Sequence, residues 1–144
     1  MVDFDDLPDY LTWANTRAVQ MLEQAPMEEG VRIFAHLLAV EVIWAERILG
    51  LPAMCPQRPD WDMAECVSRI APNAACYRDL IGRFQQTDIA RYRNSKGEEF
   101  ESLVADILRQ VFTHGAYHRG QISQAVKNLG GEIIDTDYIL FKRQ

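Results

Sequence analysis

The sequence predicts an all-α fold, a four-helix bundle with a small hairpin before the last helix. Four separate stretches place apolar residues at steps of three and four, the period of a helix with one buried stripe. At about 1.5 Å per residue, each stretch is long enough to span a small domain. Breakers punctuate them: Pro26, Gly50 with Pro52, and Gly130 with Gly131. The 144 residues correspond to one ordinary domain, 1–144.

The first helix, Tyr10 to Gln24, carries Leu11, Ala14, Ala18, Met21 and Leu22 on one side and stops near Pro26. The second, Val31 to Leu49, places Ile33, Leu37, Val40, Ile43 and Trp44 together and ends at Gly50. Leu51 to Pro59 holds three prolines, which cannot donate helical hydrogen bonds, and is a loop. Trp61 to Phe84 steps through Met63, Val67, Ile70, Ala74, Tyr77, Ile81 and Phe84, with a kink or break expected at Pro72. The segment Ile89 to Phe100 has a turn signal at Asn94 to Gly97 between two short stretches with aromatic members, which reads as a hairpin. Ser102 to Leu129 is a fourth helix, with Ser102 as its cap, Asp106 near its start and Gly130 after its end. The tail contains Tyr138, Ile139, Leu140 and Phe141, too apolar to stand in water, and is expected to pack back on the helices. The long loop and the hairpin argue against simple up-down topology.

Composition removes several function classes. Fifteen Lys and Arg against 21 Asp and Glu give a net charge of −6, and no basic run exceeds two residues, so nucleic acid is not an expected partner. Uninterrupted apolar stretches stop at four residues, where a membrane-spanning helix needs about twenty. The start, Met-Val-Asp-Phe-Asp-Asp, is acidic where a signal peptide would be positive and then apolar. Cys55, Cys66 and Cys76, 11 and 10 apart, match neither a disulfide framework nor a CxxC motif. Reduced thiols and a cytoplasmic location are expected.

The chain has three histidines, and all fall on apolar stripes. In the fourth helix the line reads Leu103, Ile107, Val111, His114, His118, Ile122, Ala125, Leu129, so two rings a turn apart aim at one point. His36 lies three residues after Ile33 and four before Val40, on the inner side of the second helix. A single inward histidine is ordinarily a core residue bonded to a carbonyl or hydroxyl. An HxxxH pair alone is modest evidence, and the Glu of the metalloprotease signature is missing. Three on facing helices point instead to a divalent transition metal: zinc or nickel first, with iron(II), copper and manganese as further candidates. Three protein ligands with remaining positions for water make an open site, as catalysis requires.

The run His114, Gly115, Ala116, Tyr117, His118, Arg119, Gly120, Gln121, Ile122 resembles the HxxxHRGQ element of the DinB/YfiT-like family of bacterial metal-binding proteins. Tyr10 to Asn15 resembles that family's first helix, His36 to Trp44 its second, and Thr136 to Phe141 its closing segment. The resemblance runs from Phe4 to Phe141 and implies an antiparallel four-helix bundle with a long crossover. It also implies metal held by His36, His114 and His118 between the second and fourth helices, and a homodimer. Some family members are transferases or isomerases that use a low-molecular-weight thiol with a divalent metal, and this implies a small-molecule thiol and an electrophilic substrate as partners. A thiol with pKa near 8.5 is a poor nucleophile at neutral pH, and an open metal position binds it as thiolate. The alternative is a metal-bound helical dimer without turnover, acting in stress response or ligand binding.

Catalytic side chains are not legible. Gln121, three after His118, either orients a ligand or satisfies a helix neighbour. Arg119 points about 100° away from His118 and reads as a surface or interhelical salt-bridge residue. Tyr117 and the three tryptophans, Trp13, Trp44 and Trp61, read as packing. Asn15 and Glu41 are candidate outer partners of the site, and Glu41 is the carboxylate able to close it. The cysteines read as small buried residues.

Overall fold

The computed structural model describes residues 3–25 and 27–144, so the stop expected at Pro26 lies outside the described residues. The chain is mostly helical: α1 (Leu7–Gln24), α2 (Glu28–Leu49), α3 (Met63–Arg83), β1 (Ile89–Arg93), β2 (Glu99–Leu103), α4 (Val104–Asn128) and the short α5 (Tyr138–Lys142). Among the described residues no helix is long and apolar enough to cross a membrane.

Helix ends follow local chemistry. α1 begins three residues before Tyr10 because Pro8 stands in its first turn, where a missing N–H costs nothing. α2 begins at Glu28 rather than Val31, with Glu28 and Glu29 at the positive end of the helix dipole. It ends as expected at Gly50, whose φ of 67° is the left-handed cap that glycine adopts freely. α3 starts with a capping box, Asp62 Oδ1 accepting from Glu65 N at 2.9 Å and Glu65 Oε2 from Asp62 N at 3.2 Å. The helix runs unbroken through Pro72. Pro72 and Ser68 both lie on the exposed side, so the carbonyl deprived of its N–H partner meets water.

The hairpin forms, antiparallel from Ile89 opposite Leu103 to Arg93 opposite Glu99. Asn94 Oδ1 closes its turn by accepting from the backbone N–H groups of Lys96 and Glu98. Ser102 is therefore not the cap of α4. It lies in β2 opposite Ala90 with its hydroxyl 2.9 Å from that of Tyr92, and the helix starts at Val104 without a side-chain cap. Strand pairing took a residue whose local chemistry suits a cap equally well.

The long helices pack α2 on α4, α1 on α3, α2 on α3 and α1 on α4, with only slight contact between the consecutive α1 and α2. Two apolar clusters fill the interior. One gathers Leu7 and Leu11 of α1, Ala45 and Ile48 of α2, Tyr77 and Leu80 of α3, and Ile107 to Val111 of α4. The other gathers Ala18 to Leu22, Phe34 to Leu38, Cys66 with Ile70, and Ile122 with Val126 from the same helices. α1 and α4 thus run from the first cluster to the second, and α2 and α3 run the opposite way. The segment from Gly50 to Asp62 consequently returns along the molecule between two parallel neighbours. Between the clusters each long helix contributes one buried polar side chain, Asn15, Glu41, Asn73 and Arg119, and α2 also buries His36. The tail packs back as expected: Tyr138 and Phe141 meet the Tyr10 ring at 5.4 and 5.7 Å, although Ile139 stays exposed.

Candidate metal centre

His36 on α2 and His114 and His118 on α4 come together, with one ligand nitrogen from each lying within 4.8 Å of the others. His114 Nε2 and His118 Nε2 are 3.1 Å apart. The His36 ring centre stands 5.2 Å from that of His114 and 4.8 Å from that of His118. Two nitrogens each about 2.0–2.1 Å from one ion stand no more than about 4.2 Å apart; the α4 pair meets that limit, and the group as a whole, spanning up to 4.8 Å, reaches it with a small turn of the His36 ring. On His36 and His118 the other ring nitrogen is already engaged. His36 Nδ1 donates to the Gln57 carbonyl at 2.7 Å, and His118 Nδ1 donates to Gln121 Oε1 at 2.7 Å. Each bond places the proton on Nδ1 and makes Nε2 the lone-pair atom, which on His118 accepts from His114 Nε2; this is the arrangement by which outer partners prepare an imidazole ligand. The donor set therefore fits a divalent metal.

Burial lowers the pKa of His36, helped by the charges of Arg58 and His118 and opposed by the Gln57 carbonyl. Burial likewise pushes His114 down to about 4, with His118, His36 and Arg58 adding to the effect. Neutral rings at neutral pH are the metal-binding form.

The α4 histidines sit at the edge of the core rather than on its centre line. The buried line of α4 runs Ile107, Leu108, Val111, Gly115, Arg119, Ile122, Val126, while His114 and His118 are half-buried and Leu103 and Leu129 at the ends of the expected stripe are exposed. The buried stripe keeps Ile107, Val111 and Ile122 of the expected one but turns toward Gly115 and Arg119, each one residue, about 100° of helix, on from His114 and His118. Arg119, expected at the surface or in an interhelical salt bridge, is instead fully buried. It donates from Nη1 to Asn15 Oδ1 at 2.9 Å and from Nη2 to the Tyr10 hydroxyl at 3.2 Å. Tyr10 in turn donates to the Thr136 carbonyl.

Asn15 Nδ2 donates to Glu41 Oε2 at 3.0 Å, and Asn73 Nδ2 donates to Glu41 Oε1 at 3.1 Å. Both carboxylate oxygens are thereby engaged, and Glu41 is not part of the metal-binding group. Burial pushes the Glu41 carboxyl up, opposed by the two amides and by the charge of Arg119. Gly115 makes room for the guanidinium: a Cβ there would stand 3.0 Å from Arg119 Nη1. Gly115→Ala is expected to destabilise the protein by about 1–3 kcal/mol from overpacking, against the roughly 1 kcal/mol that helix propensity returns. Urea denaturation of the two proteins checks the net sign.

Gln121 resolves as a partner of His118, and its Nε2 also reaches the Tyr117 hydroxyl at 3.4 Å. Tyr117 is not core packing; it is 65% exposed, its ring edge-on to His118 at 5.0 Å. The tryptophans do pack, Trp13 against Tyr10 and Phe141, Trp44 against Tyr92, and Trp61 on the second cluster. Cys66 is buried as expected, its thiol pushed up to about 11 mainly by burial, whereas Cys55 and Cys76 are half-buried with thiols also raised. None of the three is an activated nucleophile. The Gln57 carbonyl and the buried Asn73 were not singled out by sequence. The first carries no side-chain signal, while a glycine one turn before Arg119 on the same face was a legible hint of close packing there.

No curated protein and no solved structure gives a match to the chain. The model of the DinB family matches residues 5–144, a span that contains all three histidines, Gln121 and the buried polar residues of the four long helices. By that match the chain belongs to the DinB family.

Proposed function

We propose that the chain is a four-helix bundle with a long crossover that binds one divalent transition metal through His36, His114 and His118, and serves as a transferase or isomerase using a low-molecular-weight thiol. The observation that carries this reading is the cluster of three imidazoles in which Gln57 and Gln121 hold the outer nitrogens of His36 and His118, so that one ligand nitrogen from each ring lies within 4.8 Å of the others. Bound there, an ion supplies Lewis acidity, which favours the thiolate form of a thiol at neutral pH. The protein's own residues do the rest. Gln57 and Gln121 fix the tautomers and ring planes of His36 and His118. The half-burial of His114 and His118 leaves one side of the group accessible to a small molecule. With its own thiols held protonated, the chain provides no sulfur nucleophile, and the nucleophile comes from solution.

Titration of 2-mercaptoethanol into the cobalt-loaded protein tests this reading. A thiol-dependent change in the visible spectrum is expected. An unchanged spectrum would overturn the thiol reading and favour a metal-bound helical protein without turnover.

The depressed histidines also give the metal-free protein a defined pH response. The unfolded chain's imidazoles take a proton near 6.5, whereas folded His114 stays neutral down to about 4. Stability is therefore complete above 6.5 and declines as pH falls through that interval, because the unfolded state binds the extra proton. Chelator-treated wild type is expected to lose more Tm between pH 7 and pH 5 than His114→Asn. Equal slopes would contradict the assignment.

A further inference from the structure

The polar layer between the two apolar clusters has a position that packing alone does not explain. It draws one side chain from each long helix and joins them in a chain: Arg119 to Asn15, Asn15 to Glu41, Glu41 to Asn73. Its outer ends are tied to backbone, Tyr10 to the Thr136 carbonyl, Asn73 to the Leu38 carbonyl, and Tyr77 to the carbonyl of Glu41. The same chain borders the histidine site in sequence on both helices. Arg119 follows His118, Gly115 follows His114, and Glu41 lies five residues after His36 on α2.

An apolar interface tolerates sliding and rotation, since one methyl contact replaces another. A buried charged or amide group does not, because displacement leaves donors and acceptors unpaired in a low dielectric. Coordination is demanding in the same coordinate, with metal–ligand distances tolerated to about 0.2 Å. His36 reaches the α4 histidines only if α2 and α4 keep their register, and the tie between those helices in this layer runs through Asn15 of α1.

We propose that Arg119, Asn15 and Glu41 are positioning residues for the histidine site: their hydrogen-bond chain sets the register of α4 against α2 and so holds His114 and His118 opposite His36. The proposal rests on the metal-binding reading given above. It assigns the layer a role at the site that a purely structural layer would not have.

The test compares zinc affinity, by chelator competition, and the visible spectrum of the cobalt form in wild type, Arg119→Met, Asn15→Ala and Leu80→Ala. Leu80 is buried in the first cluster on α3, outside the layer, and controls for lost stability alone. Arg119→Met and Asn15→Ala, measured below their Tm, are expected to bind zinc about tenfold more weakly or worse and to shift the cobalt spectrum. Leu80→Ala is expected to keep the wild-type spectrum and an affinity within about twofold. Should Arg119→Met fail to fold, Asn15→Ala decides, since it removes the bridge while leaving both charged groups. Wild-type affinity and spectrum in Asn15→Ala, or equal weakening in Leu80→Ala, would overturn the positioning role while metal binding stands. A wild type that takes up no zinc or cobalt would overturn the metal reading and this one with it.

Discussion

Protein carrying His114→Ala and His118→Ala is expected to purify without metal, beside a wild type with about one ion per chain. Two of the three inner nitrogens are gone in that variant, and one remaining imidazole does not retain an ion through purification. The loss exceeds the roughly 10–100-fold that removal of an outer partner such as Gln121 costs. Helicity should survive, because both rings lie half-buried beside the core line rather than in it, and alanine is the best helix former. Elemental analysis with far-ultraviolet circular dichroism reads both halves of the result. Stoichiometric metal in the variant would refute the site, and collapse of the helices would show that the rings hold the fold.

Glu41→Met is expected to produce the largest loss of stability, about 3–5 kcal/mol, because it leaves a buried guanidinium without its counter-charge. Arg119 is fully buried and reaches Glu41 through Asn15, so the substitution also strands an amide donor of Asn15 and one of Asn73. A domain of this kind has a total stability of about 5–15 kcal/mol, so the variant stands close to unfolding. Pairing it with Arg119→Met removes the uncompensated charge, and the double variant should recover much of the loss. Urea midpoints for the two single variants and the double variant measure the coupling. A cost below about 1 kcal/mol for Glu41→Met, the size of an exposed pair, would mean that the two groups do not compensate each other.

Much of the architecture was legible because it is local. The periodicity of α1, α2 and α3, the glycine after α2 and the turn at Asn94 to Gly97 are each written within one stretch of chain. A misreading came where two local signals competed. Ser102 reads as a cap yet pairs in β2. The three histidines were legible as a group because each kept helical spacing with its apolar neighbours.

Sequence by itself determined the helices, the residue types of the site and the family to which the chain belongs. Only the tertiary structure decided how α4 is turned about its axis. Its spacing is compatible with a stripe through His114 and His118 or with one through Gly115 and Arg119, about 100° apart. The second prevails because Asn15, 104 residues away in the chain, and Tyr10 offer Arg119 buried partners while Gly115 leaves it room. That rotation moves the α4 histidines to the edge of the core, opposite His36, which the Gln57 carbonyl meets from the returning loop. Burial of a charged group is settled by partners distant in sequence, and periodicity within one helix carries no information about them.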